Sequence, residues 1–90
     1  MPAARCIAVD LGGTQVRVAL LEGTRIIRRA SAKTAITGGP SAVLAQFETL
    51  IDEVCDAKDP KLSAGIAISS AGPLDSEAGV ILGIPTIPGW

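Results

Sequence analysis

Apolar and polar positions divide the chain into short strand-like runs and one longer helical stripe. Residues 6–10 (Cys6-Ile7-Ala8-Val9-Asp10) are apolar up to a terminal acid, which predicts a buried strand. Residues 16–21 (Val16-Arg17-Val18-Ala19-Leu20-Leu21) predict its partner. Between them stands Gly12-Gly13, a preferred two-residue hairpin turn in which both central residues often take positive φ. Glu22-Gly23-Thr24 predicts a second turn, and residues 25–31 a third strand. Its Arg25, Arg28 and Arg29 suit a solvated sheet edge, where charge discourages pairing with another chain. The three strands together predict an antiparallel meander.

Residues 32–39 read as a connection, after which Pro40 follows a glycine pair as a first helical residue. Val43, Leu44, Phe47, Leu50, Ile51, Val54 and Cys55 then recur at helical spacing, with Gln46, Glu48, Asp52, Glu53 and Asp56 off the stripe. The helix is expected to end at Ala57 or Lys58, before Asp59-Pro60. Residues 62–69 predict a fourth strand, and Gly65-Ile66-Ala67-Ile68 is apolar on both faces, as in an interior strand. A strand–helix–strand unit of this length predicts a right-handed crossover to a parallel neighbour. Ser70-Ala71-Gly72-Pro73 then forms a loop at the carboxyl end of that strand, where ligands bind in open α/β sheets. Val80-Ile81-Leu82 suggests one more short strand, and residues 86–90 read as irregular. The expectation is a single α/β unit over residues 1–90 in the order β-β-β-α-β.

Composition narrows the chemistry. The 90 residues are 48% hydrophobic and 19% charged, with a net charge of −1 and one Trp, one Phe and no Tyr. That balance offers neither the basic surface nor the aromatic platform of a nucleic-acid binder. The absence of His excludes Ser-His-Asp and Cys-His catalysis and every His metal site. Cys6 and Cys55 have neither the number nor the spacing of a zinc site or disulfide framework, and read as buried thiols in a reducing cytosol. Uncharged runs such as residues 62–74 are shorter than the ~20 residues of a membrane helix. The start of the chain has no long apolar region of a signal peptide, so a cytoplasmic location is expected.

The candidate chemistry sits at the first turn. With no Cβ on Gly12 or Gly13, an anion could approach the turn backbone closely, and Thr14 adds a hydroxyl donor. Asp10 stands where a carboxylate could hold a hydrated Mg²⁺ against a bound phosphate. The plain alternative is that Gly-Gly merely turns the chain.

Residues 10–14, followed by Gln15-Val16-Arg17-Val18, resemble the first phosphate motif of the sugar kinases in the actin-like ATPase superfamily. The order Gly72-Pro73-Leu74-Asp75, Gly79-Val80-Ile81 and Pro85-Thr86-Ile87-Pro88-Gly89-Trp90 resembles the ROK family within it, which includes bacterial glucokinases. The resemblance spans almost the whole chain. It implies a ribonuclease-H-like (actin-like ATPase) mixed sheet, here incomplete, since the family's sheet has five strands in the order 3-2-1-4-5. It implies transfer of the γ-phosphoryl group of ATP to a hexose hydroxyl with Mg²⁺. Asp10 would position the metal, and Asp10, Gly12, Gly13, Thr14, Gln15 and Arg17 the ATP phosphates. Gly72, Pro73 and Thr86 would border the sugar, although family members often carry Asn where Thr86 stands. The family's general base is an Asp after the fifth strand. No matching segment occurs here, and Asp75 belongs to the Gly-Pro loop motif, so no catalytic residue is assigned and the chain is expected to be inactive alone. A ROK transcriptional regulator would carry a helix-turn-helix before the first motif, whereas nine residues precede Asp10. A third reading is a non-catalytic module that self-associates through an uncovered fourth strand. Sugar and ATP are the expected small-molecule partners, with no nucleic acid or membrane, in a homo-oligomer.

Overall fold

A computed structural model describes residues 4–56, 58–59, 61–70 and 74–81. Strands β1 (Arg5–Leu11), β2 (Gln15–Glu22) and β3 (Arg25–Lys33) precede helix α1 (Gly39–Val54) and strand β4 (Leu62–Ser70). They form one sheet in the order β3-β2-β1-β4. β1 and β2 are antiparallel, as are β2 and β3, whereas β1 and β4 run parallel. The expected meander and parallel return are therefore present. A second, two-stranded sheet pairs β5 (Leu74–Asp75) with β6 (Val80–Ile81).

One face of the sheet is sealed by α1. Ile7, Val9 and Leu11 on β1 and Val16, Val18 and Leu20 on β2 are buried toward it. Val43, Phe47, Leu50 and Val54 recur every three or four residues along the helix and close the core from the other side. Between the buried strand residues, Ala8, Asp10, Arg17 and Ala19 belong to the opposite, open face by the period of two.

The turns depart from expectation in instructive ways. Gly23 turns left-handed at φ 61 in the β2–β3 connection, as a tight hairpin requires. Gly12 and Gly13 are not among the left-handed glycines, so the β1–β2 turn is not of the expected two-residue type. Residues 12–14 instead span the strands, with the Gly12 N–H donating to the Gln15 carbonyl at 2.9 Å. Glycine is needed at position 12 for space: a Cβ there would lie 2.8 Å from the Gln15 carbonyl oxygen. On β3 the register slips between Leu20 and Leu21, leaving Ile27 as an extra residue. Ile27 packs against the core while Ile26 faces solvent.

The helix starts where the Gly38-Gly39 pair turns left-handed, with Pro40 in its first turn. It ends at Val54, earlier than Ala57 or Lys58. Cys55 is already extended and returns its N–H to Ile51. Asp56 and Asp59 then offer their carboxylates to the backbone N–H groups of Lys58 and Lys61, each at 2.9 Å. Such side-chain turns compete with another helical turn and win here.

β4 is apolar on both faces, the composition of an interior strand, and is the edge strand among the described residues. Its register shifts opposite β1 between Arg5 and Ile7, and Gly65 sits at φ 91 within the strand. Ile66 and Ile68 pair with Ile7 and Val9 but remain 57% and 58% exposed, because α1 covers β2 and β3 rather than β4. The suggested strand at Val80 begins as expected and gains an unforeseen partner in Leu74–Asp75; Leu82 and residues 86–90 lie outside the described residues.

A charge network closes the end of the sheet remote from the β1–β2 turn. Arg5 donates to Asp59 at 2.7 Å and lies 3.7 Å from Glu22. Lys61 and Arg25 also reach Glu22, at 3.3 and 3.4 Å. The Lys61 ammonium, with help from Arg5 and Arg25, holds the Glu22 carboxyl below its ordinary value. The Lys61 backbone N–H and the Arg5 guanidinium do the same for Asp59. Both groups therefore titrate lower in the folded chain than in the unfolded one. Their stabilisation is complete above the ordinary carboxylate range and is lost as pH falls through the lowered folded values. Urea unfolding should show the midpoint dropping between about pH 6 and about pH 3, and dropping less in a Glu22→Gln/Asp59→Asn variant. Equal pH slopes in the two proteins would contradict this role.

Candidate functional site: the β1–β2 turn and the open sheet face

Because β1 and β4 are parallel, their carboxyl ends meet at one edge of the sheet, where the β1–β2 turn also lies. Asp10 is the last outward residue of β1 before that turn. It is exposed, stands opposite Arg17 on β2, and pairs in register with Ser69 on β4. Among the described residues no cation lies within ion-pair distance of its carboxylate. Arg17 instead donates through Nε and Nη2 to the Gln15 side-chain oxygen, at 3.3 and 3.2 Å. That leaves Asp10 facing solvent with its lone pairs available.

The turn is held from below by Thr34, which is 6% exposed and the one buried polar residue among those described. Its hydroxyl donates to the Gly12 carbonyl at 2.8 Å, and its backbone N–H to the Thr14 carbonyl at 3.1 Å. Gly12 therefore has both backbone groups engaged within the protein. What Gly12 contributes to the turn is shape: no Cβ stands between the turn backbone and the Gln15 carbonyl. Thr14 and Gln15 are exposed, and the Thr14 side chain points away from the core.

Strand register extends the site over the open face. Arg17 stands opposite Ser31, Gln15 opposite Lys33, and Ala19 opposite Arg29. Gln15, Arg17, Arg29 and Ser31 line a cleft of about 460 Å³. A neighbouring trough of about 430 Å³ runs over Ala8, Ala19 and Ala67 and reaches Asp10 and Ser69. Among the described residues no carboxylate lies within ion-pair distance of Arg17, Arg29 or Lys33. This part of the face is accordingly positive, apart from Asp10, in a chain whose net charge is −1. The three β3 arginines do not act as one cluster. Arg25 pairs with Glu22, Arg28 lines a groove with Val54 and Asp56, and only Arg29 joins the cleft.

Several residues escaped the sequence reading. Arg29 and Ser31 share the face of Arg17 only through the cross-strand register, which no local pattern displays. Thr34 lies in what reads as plain connection. Gly72, Pro73 and Thr86, expected to border a sugar, lie outside the described residues. Asp75 accepts the N–H groups of Glu77 and Ala78, both at 3.1 Å, and so caps the β5–β6 turn.

The donor set can be set against the expected cofactors. Among the described residues no three His, Cys, Asp or Glu side chains gather into a metal cage. A lone exposed carboxylate fits a hydrated Mg²⁺ that is shared with phosphate oxygens rather than enclosed by protein. A hydroxyl and unneutralised guanidinium groups beside it fit a polyphosphate. No helix among the described residues is long and apolar enough to cross a membrane.

No protein-family model matches the chain. A glucokinase of Thermotoga maritima is 32% identical over 91 aligned residues, covering the whole of this chain and 28% of the relative. A ROK hexokinase of Thermus thermophilus superposes with a TM-score of 0.68 at 29% identity, over 94% of this chain and 27% of the neighbour. The chain thus spans little more than a quarter of the length of the proteins it matches. Sequence likeness and fold agree: over its length the chain is similar to sugar kinases, a glucokinase in sequence and a ROK hexokinase in structure, and its sheet is an incomplete actin-like domain.

Proposed function

We propose that this chain forms the phosphate-binding lobe of an ATP- and Mg²⁺-dependent, glucokinase-like sugar kinase. The observation that carries the reading is the place of Asp10. It is exposed, unpaired among the described residues, and set at the meeting of two parallel strand ends beside a braced turn. In open α/β sheets that is where ligands bind. When bound, Mg²⁺ neutralises phosphate charge and orients the γ-phosphoryl group for transfer. Asp10 would hold the metal through its water shell. The Thr14 hydroxyl and the Arg17 guanidinium, bonded to Gln15, would donate to phosphate oxygens, while Gly12 and Gly13 would let the turn approach closely. Gly72, Pro73 and Thr86 are assigned to the sugar side on resemblance alone. A cytoplasmic setting is part of the same proposal, because ATP as phosphoryl donor is supplied there.

On the resemblance, the group that takes the proton from a sugar hydroxyl is an Asp after a fifth strand, and none of the 90 residues matches it. Phosphoryl transfer relies on positioning from both walls of a cleft, so the 90 residues alone are expected to be inactive. A coupled ADP-release assay with glucose, fructose and N-acetylmannosamine should show no turnover from this chain and turnover from a longer product of the same gene. Failure of the longer protein on every sugar would overturn the reading. In that protein Asp10→Asn should weaken Mg-ATP binding about tenfold or more, because a charge-assisted contact is lost, without unfolding an exposed site. Unchanged affinity would remove Asp10 from the metal role.

The open β4 edge favours an accompanying reading, self-association. Among the described residues β4 pairs with β1 on one side only, so its other edge and the exposed Ile66 and Ile68 offer backbone and apolar surface to a second copy. Light scattering at high micromolar concentration should find a dimer or larger, reduced to monomer by Ile66→Lys/Ile68→Lys. A monomeric wild-type chain would contradict it.

A further inference from the structure

Residues 33–35, at the start of the connection between β3 and α1, are bonded on one side to the β1–β2 turn and on the other to a side chain of α1. Thr34 bonds the Gly12 carbonyl with its hydroxyl and the Thr14 carbonyl with its N–H. Thr34 is itself flanked by the two groups that Gln46 holds. The Gln46 amide nitrogen donates to the Lys33 carbonyl, and the Gln46 amide oxygen accepts the Ala35 N–H at 3.0 Å. Gln46 sits about two turns into α1, half-buried at the flank of the stripe formed by Val43, Phe47 and Leu50. The path from helix core to turn is thus continuous: α1, Gln46, Lys33 and Ala35, Thr34, then Gly12 and Thr14.

We propose that Thr34 and Gln46 are positioning residues for the 12–14 turn, setting the shape in which it meets the phosphates of a nucleotide. The proposal rests on the phosphate-binding reading of that turn. The physical argument concerns carbonyls. A turn that receives an anion must direct carbonyl oxygens away from it, because a carbonyl dipole beside a phosphate is repulsive. Thr34 draws two successive-but-one carbonyls, those of Gly12 and Thr14, to the core side of the turn. It does so from a buried position, where an unsatisfied hydroxyl or carbonyl would be costly and the geometry is correspondingly well determined. Gln46 does the same for Thr34: an amide supplies one donor and one acceptor, which match the carbonyl before Thr34 and the N–H after it. No other neutral side chain of that length offers both.

The chemistry predicts which substitutions substitute for which. Thr34→Ser keeps the hydroxyl and loses a methyl. Thr34→Val keeps the shape and loses the hydroxyl, so the Gly12 carbonyl is left without its donor. Gln46→Glu keeps the acceptor for Ala35 but has no donor for the Lys33 carbonyl.

The test is amide hydrogen exchange by NMR on the full 90-residue chain, combined with a titration of Mg-ATP. Exchange at Gly12, whose N–H closes the turn onto Gln15, reports turn shape directly. Exchange at Val9 and Val18, in the centres of their strands, reports global stability. Thr34→Val and Gln46→Glu should speed exchange at Gly12 about tenfold more than at Val9 and Val18, the loss expected for one buried hydrogen bond. Thr34→Ser should restore the ratio to within about threefold of wild type. Mg-ATP affinity should fall in parallel with that ratio. Equal acceleration at all three amides, or no rescue by serine, would overturn the proposal and reduce Thr34 to an ordinary core residue. A wild-type chain whose 12–14 amides ignore Mg-ATP while the exchange ratios behave as stated would instead count against the phosphate-binding reading. The two failures are distinguishable because the exchange ratio needs no ligand.

Discussion

One-sided burial of the β1–β2 hairpin is the constraint on which the rest depends. Ile7, Val9 and Leu11 alternate with Ala8 and Asp10, and Val16, Val18 and Leu20 alternate with Arg17 and Ala19. Slippage of either strand by one residue would turn Asp10 or Arg17 into the core and bring the apolar set out to water. A carboxylate or guanidinium buried without a partner costs several kcal/mol or more, so the register has no near competitor. The same alternation that builds the core therefore decides that Asp10 and Arg17 face outward, side by side, at the end of the hairpin. Stability and site geometry are consequences of a single pattern.

The helix converts that register into a defined site edge. Its apolar stripe seals the inner face, and its polar flank, through Gln46, reaches the connection that braces the turn. Meanwhile α1 leaves β4 uncovered, so the sheet ends on exposed Ile66 and Ile68. The two ends of the described sheet differ in kind as well. The remote end is tied by the Arg5, Glu22, Asp59 and Lys61 ion pairs, which join the start of β1, the end of β2 and the α1–β4 connection. The turn end keeps its charges unpaired among the described residues and available to a ligand. Charges spent on neutralising one another hold the fold, and charges left facing solvent can do chemistry.

Much of this was legible in the residues. The strands, the helix and its stripe follow from periods of two and of 3.6, the parallel return of β4 follows from the length of the strand–helix–strand unit, and the strand order is what the family resemblance implies. The motif around Asp10, Gly12, Gly13 and Thr14 pointed to the turn as the candidate site. What escaped depends on tertiary placement. Gly12 proved necessary for the approach of the Gln15 carbonyl, not for left-handed φ, and such a close approach has no signature in sequence. The helix stopped at Val54 because Asp56 and Asp59 captured local N–H groups, a competition that stripe-counting ignores. β4 has a composition that suits burial on both faces, and its cover is absent among the described residues. Thr34, Gln46, Arg29 and Ser31 became visible only when the register placed them against the turn or the open face.

The central claim is that the Asp10–Thr14 region, held by strand register and braced from α1, is the part of this chain that meets nucleotide phosphate. The most direct measurement is a map of backbone amide chemical shifts on titrating the chain with Mg-bound triphosphate, the nucleotide's anionic part alone. The account predicts saturable shifts confined to Asp10, the 12–14 turn, Gln15 and Arg17, with Arg29 and Ser31 responding next. Shifts centred on the Gly38-Gly39-Pro40 start of α1 or on the Arg5–Asp59 end of the sheet would contradict it.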